Sequence, residues 1–315
     1  MPRSPSLRVA VFSILVASAS FALAPAHAER DWNAKEKSRQ DVGATPAARA
    51  SAPTPASDPI AAGFRLLYEL KFEQARATFQ AHEKAAPQDP LGPAAEAASY
   101  LFDEFYRQGV LTSQFFLDDK KFLNGIEGAP DPKLKHAFWS ANGRAQDLAR
   151  QLLKANPDDP SALYALTITT GMRGNYLGVI EKRHLESLRL TKEAGGYAKK
   201  LLERKPGEGD VYVALGISNY IVGSLPVYKK FFLFFGGIRG EKQEGMRQLA
   251  LAARDGHYLR PFAKILLALA ALREKEPGLA RTHLEELVAE FPQNPLFARE
   301  LALLKHAPGT AATGP

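Results

Sequence analysis

The amino-acid sequence predicts an all-α protein built from paired amphipathic helices. Apolar residues recur at helical spacing over residues 60–70 and again over 72–85, with a short turn between the two segments. One helix ending occurs four times, in which an alanine precedes a proline by 12 residues: Ala75 and Pro87, Ala145 and Pro157, Ala194 and Pro206, Ala280 and Pro292. Hydrophobic residues make up 45% of the chain, which is enough for a sizeable core. We therefore expect a succession of helical hairpins.

The first 28 residues have the three regions of a secretory signal peptide. Arg3 and Arg8 precede an apolar run over residues 9–24, and the small-residue triplet 26–28 follows that run. We expect cleavage after Ala28 and a periplasmic or secreted protein. An uncleaved anchor is the alternative, although the run is shorter than the roughly 20 apolar residues that span a bilayer.

Two further segments have the composition of disordered chain. Residues 29–57 are rich in Ala, Pro, Ser and charge, so too little surface can be buried there to offset the entropy of ordering. We predict a disordered leader over 29–57, a helical domain over 58–306 and a disordered tail over 307–315. Order is expected to begin at Asp58, a helix cap followed by proline at the first helical position.

Charge and cysteine content narrow the range of partners. The formal net charge of +7 is spread along the chain, and the lysine pairs fall on separate helices, so we do not expect binding to nucleic acid. The chain has no cysteine, and therefore no disulfide bond, thiolate metal site or lipidated cysteine. An exported chain of this kind must be held together by its hydrophobic core.

No pattern typical of an enzyme or of a metal or cofactor site is present. The seven histidines lack the H-E-x-x-H spacing of a metal helix, and His283 has no second histidine four residues later. The glycine-rich stretch 236–242 lacks the preceding strand and the G-K-[ST] ending of a phosphate loop, which favours a corner between helices. We therefore predict no catalytic residue, no cofactor and no metal.

The first helical pair resembles the 34-residue tetratricopeptide repeat (TPR). The small, aromatic, alanine, aromatic and terminal-proline positions of that repeat are held by Gly63, Phe72, Ala75, Phe79 and Pro87. This resemblance implies a TPR-like superhelical solenoid of helical hairpins, with a charged last helix over 295–306 as its cap. Successive terminal prolines are 70, 49 and 86 residues apart, so two irregular helical insertions are expected. Degenerate helices over 92–108 and 133–141 occupy the first interval, and an extra helix over 176–190 the second.

The segment 210–245 is the second predicted insertion. Asp210 is placed to cap the helix that follows it. From Pro206 onward, the chain is similar to the eukaryotic tetratricopeptide repeat domain 39 proteins and their bacterial relatives, which implies a shared architecture. Members of that family are linked to mitochondrial outer membranes and lipid handling. The residues that carry this similarity are Gly216, Tyr220, Ser224, Leu225, Pro226, Gly236, Gly237, Gly240, Gly245 and Leu249.

The aromatic segment 227–235 allows three interpretations. It can fill the axis of a curled array, because a helix that is apolar on nearly all sides is usually buried. It can also form a groove that binds a partner peptide or a lipid. The third interpretation is peripheral contact with a membrane. The apolar run of the segment 227–235 is too short to span a bilayer.

The resemblance implies a function in binding rather than catalysis. We expect a non-enzymatic exported TPR scaffold or adaptor that holds a peptide or an envelope protein in its concave face. The alternative is a carrier or binder of a lipid or other apolar ligand through the segment 227–235. The third hypothesis is an enzyme, which no constellation of residues supports. The irregular helices can also fill the concave face, in which case its residues bind no partner. The candidate contact residues are Ile60, Phe64, Tyr68, Val213, Ile217, Tyr220, Phe231, Phe262, Ile265 and Leu269.

Overall fold

A computed structural model describes residues 58–118, 121, 124–224 and 240–305. Within these ranges the fold is all-α, as the sequence predicts, with twelve α-helices, one π-helical turn, one 3₁₀ turn and no strand. The helices are α1 (Pro59–Tyr68), α2 (Phe72–Ala85), α3 (Leu91–Arg107), α4 (Ser113–Leu117), α5 (Pro132–Ala155), α6 (Pro160–Asn175), α7 (His184–Arg204), α8 (Tyr212–Gly223), α9 (Lys242–Asp255), α10 (Arg260–Arg273), α11 (Pro277–Glu290) and α12 (Pro295–Lys305). The predicted signal peptide, leader, aromatic segment 227–235 and tail lie outside the described residues.

Three helices begin with the same aspartate-proline pair. The carboxylates of Asp58, Asp131 and Asp159 each accept a hydrogen bond from a backbone N–H in the first turn of the helix that follows. The proline in the next position has its backbone angle fixed near the helical value and needs no acceptor for an N–H. Local sequence therefore sets where α1, α5 and α6 start.

The helices pack in chain order, with α1 on α2, α2 on α3, α3 on α5, α5 on α6, and so on to α11 on α12. We call α1, α3, α6, α8, α10 and α12 the first helices, and α2, α5, α7, α9 and α11 the second helices. First helices also touch one another, since α1 contacts α3, α3 contacts α6, and α6 contacts α8. The five-residue α4 lies in the connection between α3 and α5.

Three first helices end in the same hydrogen-bonded turn. After α1, the N–H groups of Leu70 and Lys71 donate to the carbonyls of Leu67 and Leu66. The same two bonds recur after α3, around Gly109, and after α10, around Lys275. Each turn has a residue with positive φ, at 61° for Leu70, 69° for Gly109 and 63° for Lys275. This is the Schellman ending of a helix, and its recurrence shows that these pairs are built alike.

The end of α6 is a widened form of the same turn. Helix α6 continues into a π-helical turn, Tyr176–Ile180, and the residue with positive φ is Lys182. The predicted extra helix over 176–190 is therefore wrong, because its first half is this turn and its second half begins α7. The predicted separate helix over 133–141 is likewise part of the longer α5, which buries Phe138, Ala145 and Ala149 in one run.

Small residues lie where paired helices approach most closely. The alanines of the repeated ending, at positions 75, 145, 194 and 280, are all buried. Gly63 of α1 faces the ring of Phe79 in α2, and a Cβ built on it would lie 2.2 Å from a ring carbon. The side chain at position 63 must therefore be absent for this pair to pack.

The first helical pair packs against the last pairs of the chain. The ring of Phe64 lies 5.3 Å from that of Tyr258, and the ring of Tyr68 lies 5.4 Å from that of Phe291. Asn294, just before α12, donates from its amide to the carbonyl of Tyr68 at 2.8 Å. The described part of the array is therefore closed on itself.

The interior of this closed array is filled with apolar side chains. One cluster joins buried residues of α1 to α6 with residues of α10, α11 and α12. Across the middle, the ring of Phe102 in α3 meets that of Phe262 in α10 edge to face at 5.6 Å. The short α4 also packs on α10. The core thus occupies the side on which the first helices face one another.

Candidate functional site

Nine of the ten candidate contact residues lie within the described structure. Ile60, Phe64, Tyr68 and Val213 are buried in the core, each with 5% or less of its surface exposed. In this structure they pack against the protein's own helices rather than facing an open groove. The first three are covered because the first pair closes against the last, and Val213 is covered by α9 and α10. The half-buried candidates are Ile217, Tyr220, Phe262, Ile265 and Leu269. Phe231 lies outside the described residues.

Only some of the candidates are brought together. Phe64 and Phe262 belong to the same inner side of the array, where Phe262 packs on the main core cluster. Val213 and Ile217 pack with Phe262 in a smaller cluster between α8 and α10. Tyr220 lies further along α8, where its hydroxyl donates to Glu274 at the end of α10 at 3.2 Å.

The N-terminal ends of α6, α8 and α10 are tied together by one buried carboxylate. Asp210 is 1% exposed and accepts the backbone N–H groups of His257, Tyr258 and Leu259 at 2.8 to 2.9 Å. It also accepts the hydroxyl of Tyr164 at 2.7 Å. The prediction that Asp210 caps its own helix is wrong, because its acceptors are used by the loop before α10. This carboxylate is therefore structural.

A second polar cluster joins α1 to the same loop. The carboxylate of Asp58 accepts the hydroxyl of Tyr258 at 3.0 Å and lies 3.1 Å from the ring of His257. Burial raises the pKa of Tyr258, and the charges of Asp58 and Asp210 raise it further. Asp58 and Asp210 thus both bind the loop before α10, and Asp58 joins that loop to the first helical pair.

The opposite ends of the first helices carry the irregular connections. We call this region the connection surface and define it as residues 108–118, 124–131 and 176–183 with the adjoining ends of α8 and α10. The N–H of Ile126 donates to the carbonyl of Val179 at 3.1 Å, so the connection after α3 contacts the one after α6. A Cβ on Gly125 would lie 2.2 Å from that same carbonyl oxygen, so this approach depends on glycine. The irregular connections therefore form one continuous surface.

Ion pairs and backbone contacts hold this surface to its neighbours. Lys135 at the start of α5 pairs with Glu181 at 2.7 Å. Burial opposes ionisation of Glu181, but hydrogen bonds and charge from Lys135 and Arg183 outweigh it, and the pKa of Glu181 is lowered. The guanidinium of Arg273 donates to the carbonyl of Phe116 and so joins α10 to α4.

Glu274 connects the ends of α8 and α10 on the same surface. Its carboxylate accepts the hydroxyl of Tyr220 and pairs with the ammonium of Lys242. Burial, and then the charge of Glu274, raise the pKa of Tyr220 to about 12. The ends of α8 and α10 and the start of α9 therefore meet at a charged corner.

The large apolar side chains that the described structure exposes share a similar position along their helices. Each lies in α4, within two residues of the end of a first helix, or within two residues of the start of a second helix. They are Tyr106, Leu117, Leu185, Ile221, Leu279 and Leu303. Leu185 is the most exposed, at 77%. Sequence reasoning missed them because single exposed apolar residues carry no periodic signal.

The buried acidic side chains of α3 are engaged within the protein. The buried carboxylates of Glu96 and Glu104 are bonded to neighbouring side chains and backbone. Over the described ranges, no group of three histidines or acidic residues is placed to hold a metal. Over the same ranges, no helix combines the length and the hydropathy needed to cross a bilayer.

The chain matches no protein-family model, and a search of curated proteins finds no match.

Proposed function

We propose that this chain is an exported, non-enzymatic scaffold of tetratricopeptide type that binds a protein partner of the cell envelope. The repeat assignment is supported by the buried alanines at four equivalent positions and by the contact between Gly63 and Phe79. The shared Schellman endings of α1, α3 and α10 add support, because they repeat the same turn between the members of a pair.

The connection surface is the partner-binding region in this proposal. The observation that carries it is the placement of the exposed large apolar residues. Leu117 and Ile221 lie on the connection surface, and the other four lie where first helices end or second helices begin, away from the starts of α1, α6, α8 and α10. Insertions in repeat proteins map to loops on one face, which is often the face that binds. The inner side of the array is filled by the protein's own aromatic residues, which makes it the weaker candidate.

The partner contacts are expected to be mainly apolar with a charged margin. Leu117 and Ile221 are 43% and 38% exposed, so each can bury more surface in a complex. Glu181 and Glu274 are already paired with lysines and supply a polar rim. A water-exposed lysine-glutamate pair contributes little to affinity, so the apolar residues should dominate.

The test compares capture by matched variants. The mature protein, the double variant Leu117→Glu with Ile221→Glu, and the control Ala250→Glu on the exposed face of α9 are immobilised and exposed to envelope extract. We expect the double variant to capture at least tenfold less of a specific partner than the parent and the control do. Its circular dichroism spectrum should be unchanged. Equal retention by all three contradicts the connection surface as the site. Binding to lipid vesicles instead of a protein favours the apolar-ligand alternative.

A further inference from the structure

We propose that Arg150 and Arg173 form a binding site for an oxyanion, a carboxylate or phosphate group, between α5 and α6. The proposal does not depend on the connection surface. Both guanidinium groups donate to the same side-chain oxygen, Oε1 of Gln146, and each of these hydrogen bonds is 2.8 Å long. The two donating nitrogen atoms are consequently no more than about 6 Å apart.

Two like charges held this close with a neutral acceptor between them repel each other. Arg150 has a partial neutraliser, because its other terminal nitrogen lies 3.2 Å from the exposed carboxylate of Asp147. Arg173 has no carboxylate partner among the described residues, and Gln146 accepts its one hydrogen bond there. An oxyanion would supply the missing negative charge, and a guanidinium fork matches its geometry.

The position of Arg173 is fixed before any ligand arrives. Its guanidinium lies over the ring of Trp139, 5.3 Å from the centroid, which restricts its orientation. The Nε atom of Arg173 is buried and has no hydrogen-bond acceptor within the described structure. A half-buried, oriented cation with unused donors is the kind of group that anion sites use.

The remaining groups of the site come from the same two helices. Trp139, Gln146 and Arg150 are spaced along one face of α5, and the hydroxyl of Thr170 in α6 lies 3.4 Å from the amide nitrogen of Gln146. On the neighbouring α7, the Tyr197 hydroxyl donates to Glu193 at 3.4 Å. The amide of Gln146 is held in place between the helices, and the site presents the two cations to a ligand, with Asp147 at its exposed margin.

The experiment titrates the mature full-length protein with inorganic phosphate and, separately, with acetate. Isothermal calorimetry measures binding in both titrations, and phosphorus NMR measures it as well for phosphate. We expect saturable binding of phosphate. Arg173→Gln should weaken it at least tenfold. Gln146→Glu should do the same, because it gives both arginines a permanent carboxylate, and it should keep or raise the melting temperature.

Two controls separate the site from general effects of charge. Gln243→Glu adds the same charge on the exposed part of α9, and Arg254→Gln removes an arginine at the end of that helix. Both should bind phosphate like the parent. Binding of phosphate but not acetate assigns the site to phosphate groups, and binding of both assigns it to oxyanions in general. The proposal is overturned if neither ion binds saturably. It is also overturned if Gln146→Glu leaves phosphate binding unchanged.

Discussion

The hydroxyl of Tyr164 donates a 2.7 Å hydrogen bond to the buried carboxylate of Asp210. This contact joins the start of α6 to the start of α8, and the same carboxylate accepts three consecutive N–H groups before α10. A single aspartate thus satisfies four donors from two other parts of the chain. Burial raises the pKa of Tyr164 well above its ordinary value, and the charge of Asp210 raises it further, so the hydroxyl stays protonated.

Removal of this carboxylate should destabilise the protein strongly. Asp210→Ala leaves four buried donors without an acceptor, and we expect a loss of about 3 kcal/mol or more in the free energy of unfolding. Tyr164→Phe removes one donor and should cost about 1 to 2 kcal/mol. Tyr197→Phe, which removes a long and exposed hydrogen bond, is the control and should change little. Urea denaturation measures all three, and a loss below about 1 kcal/mol for Asp210→Ala would contradict the role assigned to it.

The contact between α1 and the loop before α10 should make stability depend on acid pH. Burial acts to raise the pKa of Asp58, but hydrogen bonds from His257, Tyr258 and two backbone N–H groups outweigh it, and the pKa lies below the ordinary value of 3.8. A carboxyl with a lowered folded-state pKa stabilises the protein above its unfolded pKa and loses that contribution as pH falls.

The parent should therefore lose more stability than Asp58→Asn between pH 5 and pH 3. Urea denaturation of each protein at both pH values gives the loss in unfolding free energy for the parent and for the variant. Other carboxyl groups titrate equally in both proteins, so the comparison isolates Asp58. Parallel losses in the two proteins would show that Asp58 contributes nothing through its ionisation.

The residues with positive φ after the first helices predict the effects of two substitutions, at Gly109 and Lys275, and Gly143 in the interior of α5 provides the contrast. Gly109→Ala meets no neighbouring atom within 4 Å, so its expected loss of about 1 kcal/mol comes from backbone conformation alone. Lys275→Gly should gain up to about 1 kcal/mol, because relief of the strained conformation exceeds the entropy of the new glycine. Gly143→Ala, inside α5 with open space around it, should gain about 0.5 to 1 kcal/mol. Thermal denaturation checks the signs, and a stabilising Gly109→Ala would contradict the assigned turn.

The alanines of the repeated ending should not tolerate a large side chain. Ala75→Phe and Ala280→Phe replace side chains with no exposed surface and should each cost roughly 1 to 3 kcal/mol or more. Ala77→Phe lies two residues along α2 on its exposed face and should leave the melting temperature nearly unchanged. Three equal melting temperatures would mean that the repeat register is wrong.

The helical pairs could be predicted from sequence because their signals are local. The cap at Asp58, the alanine at position 75 and the proline at position 87 lie within one pair, and the structure has α1 and α2 within two residues of the expected bounds. The Asn142-Gly143 dipeptide lies inside a continuous α5, because apolar residues on both sides of it line one buried face.

The closure could not be predicted, because it depends on residues far apart in the chain. Asp58 and Tyr258 are separated by 200 positions, and no periodic pattern relates them. Asp210 was expected to bond its own helix because capping is the commonest local use of aspartate, and tertiary contact decided otherwise. The packing of the first pair on the last pairs places Phe64 and Tyr68 in the core rather than in the expected groove.

The packing of the first pair on the last pairs has a consequence for how the protein unfolds. In a linear array each terminal unit has one neighbour, so the ends open at lower free energy than the middle. Here α1 gains a second neighbour, because Tyr68 contacts Phe291 and Asn294 in the turn before α12. Amide hydrogen exchange should therefore be lost from the terminal and central helices together, in one cooperative transition, without a middle section that outlasts the ends.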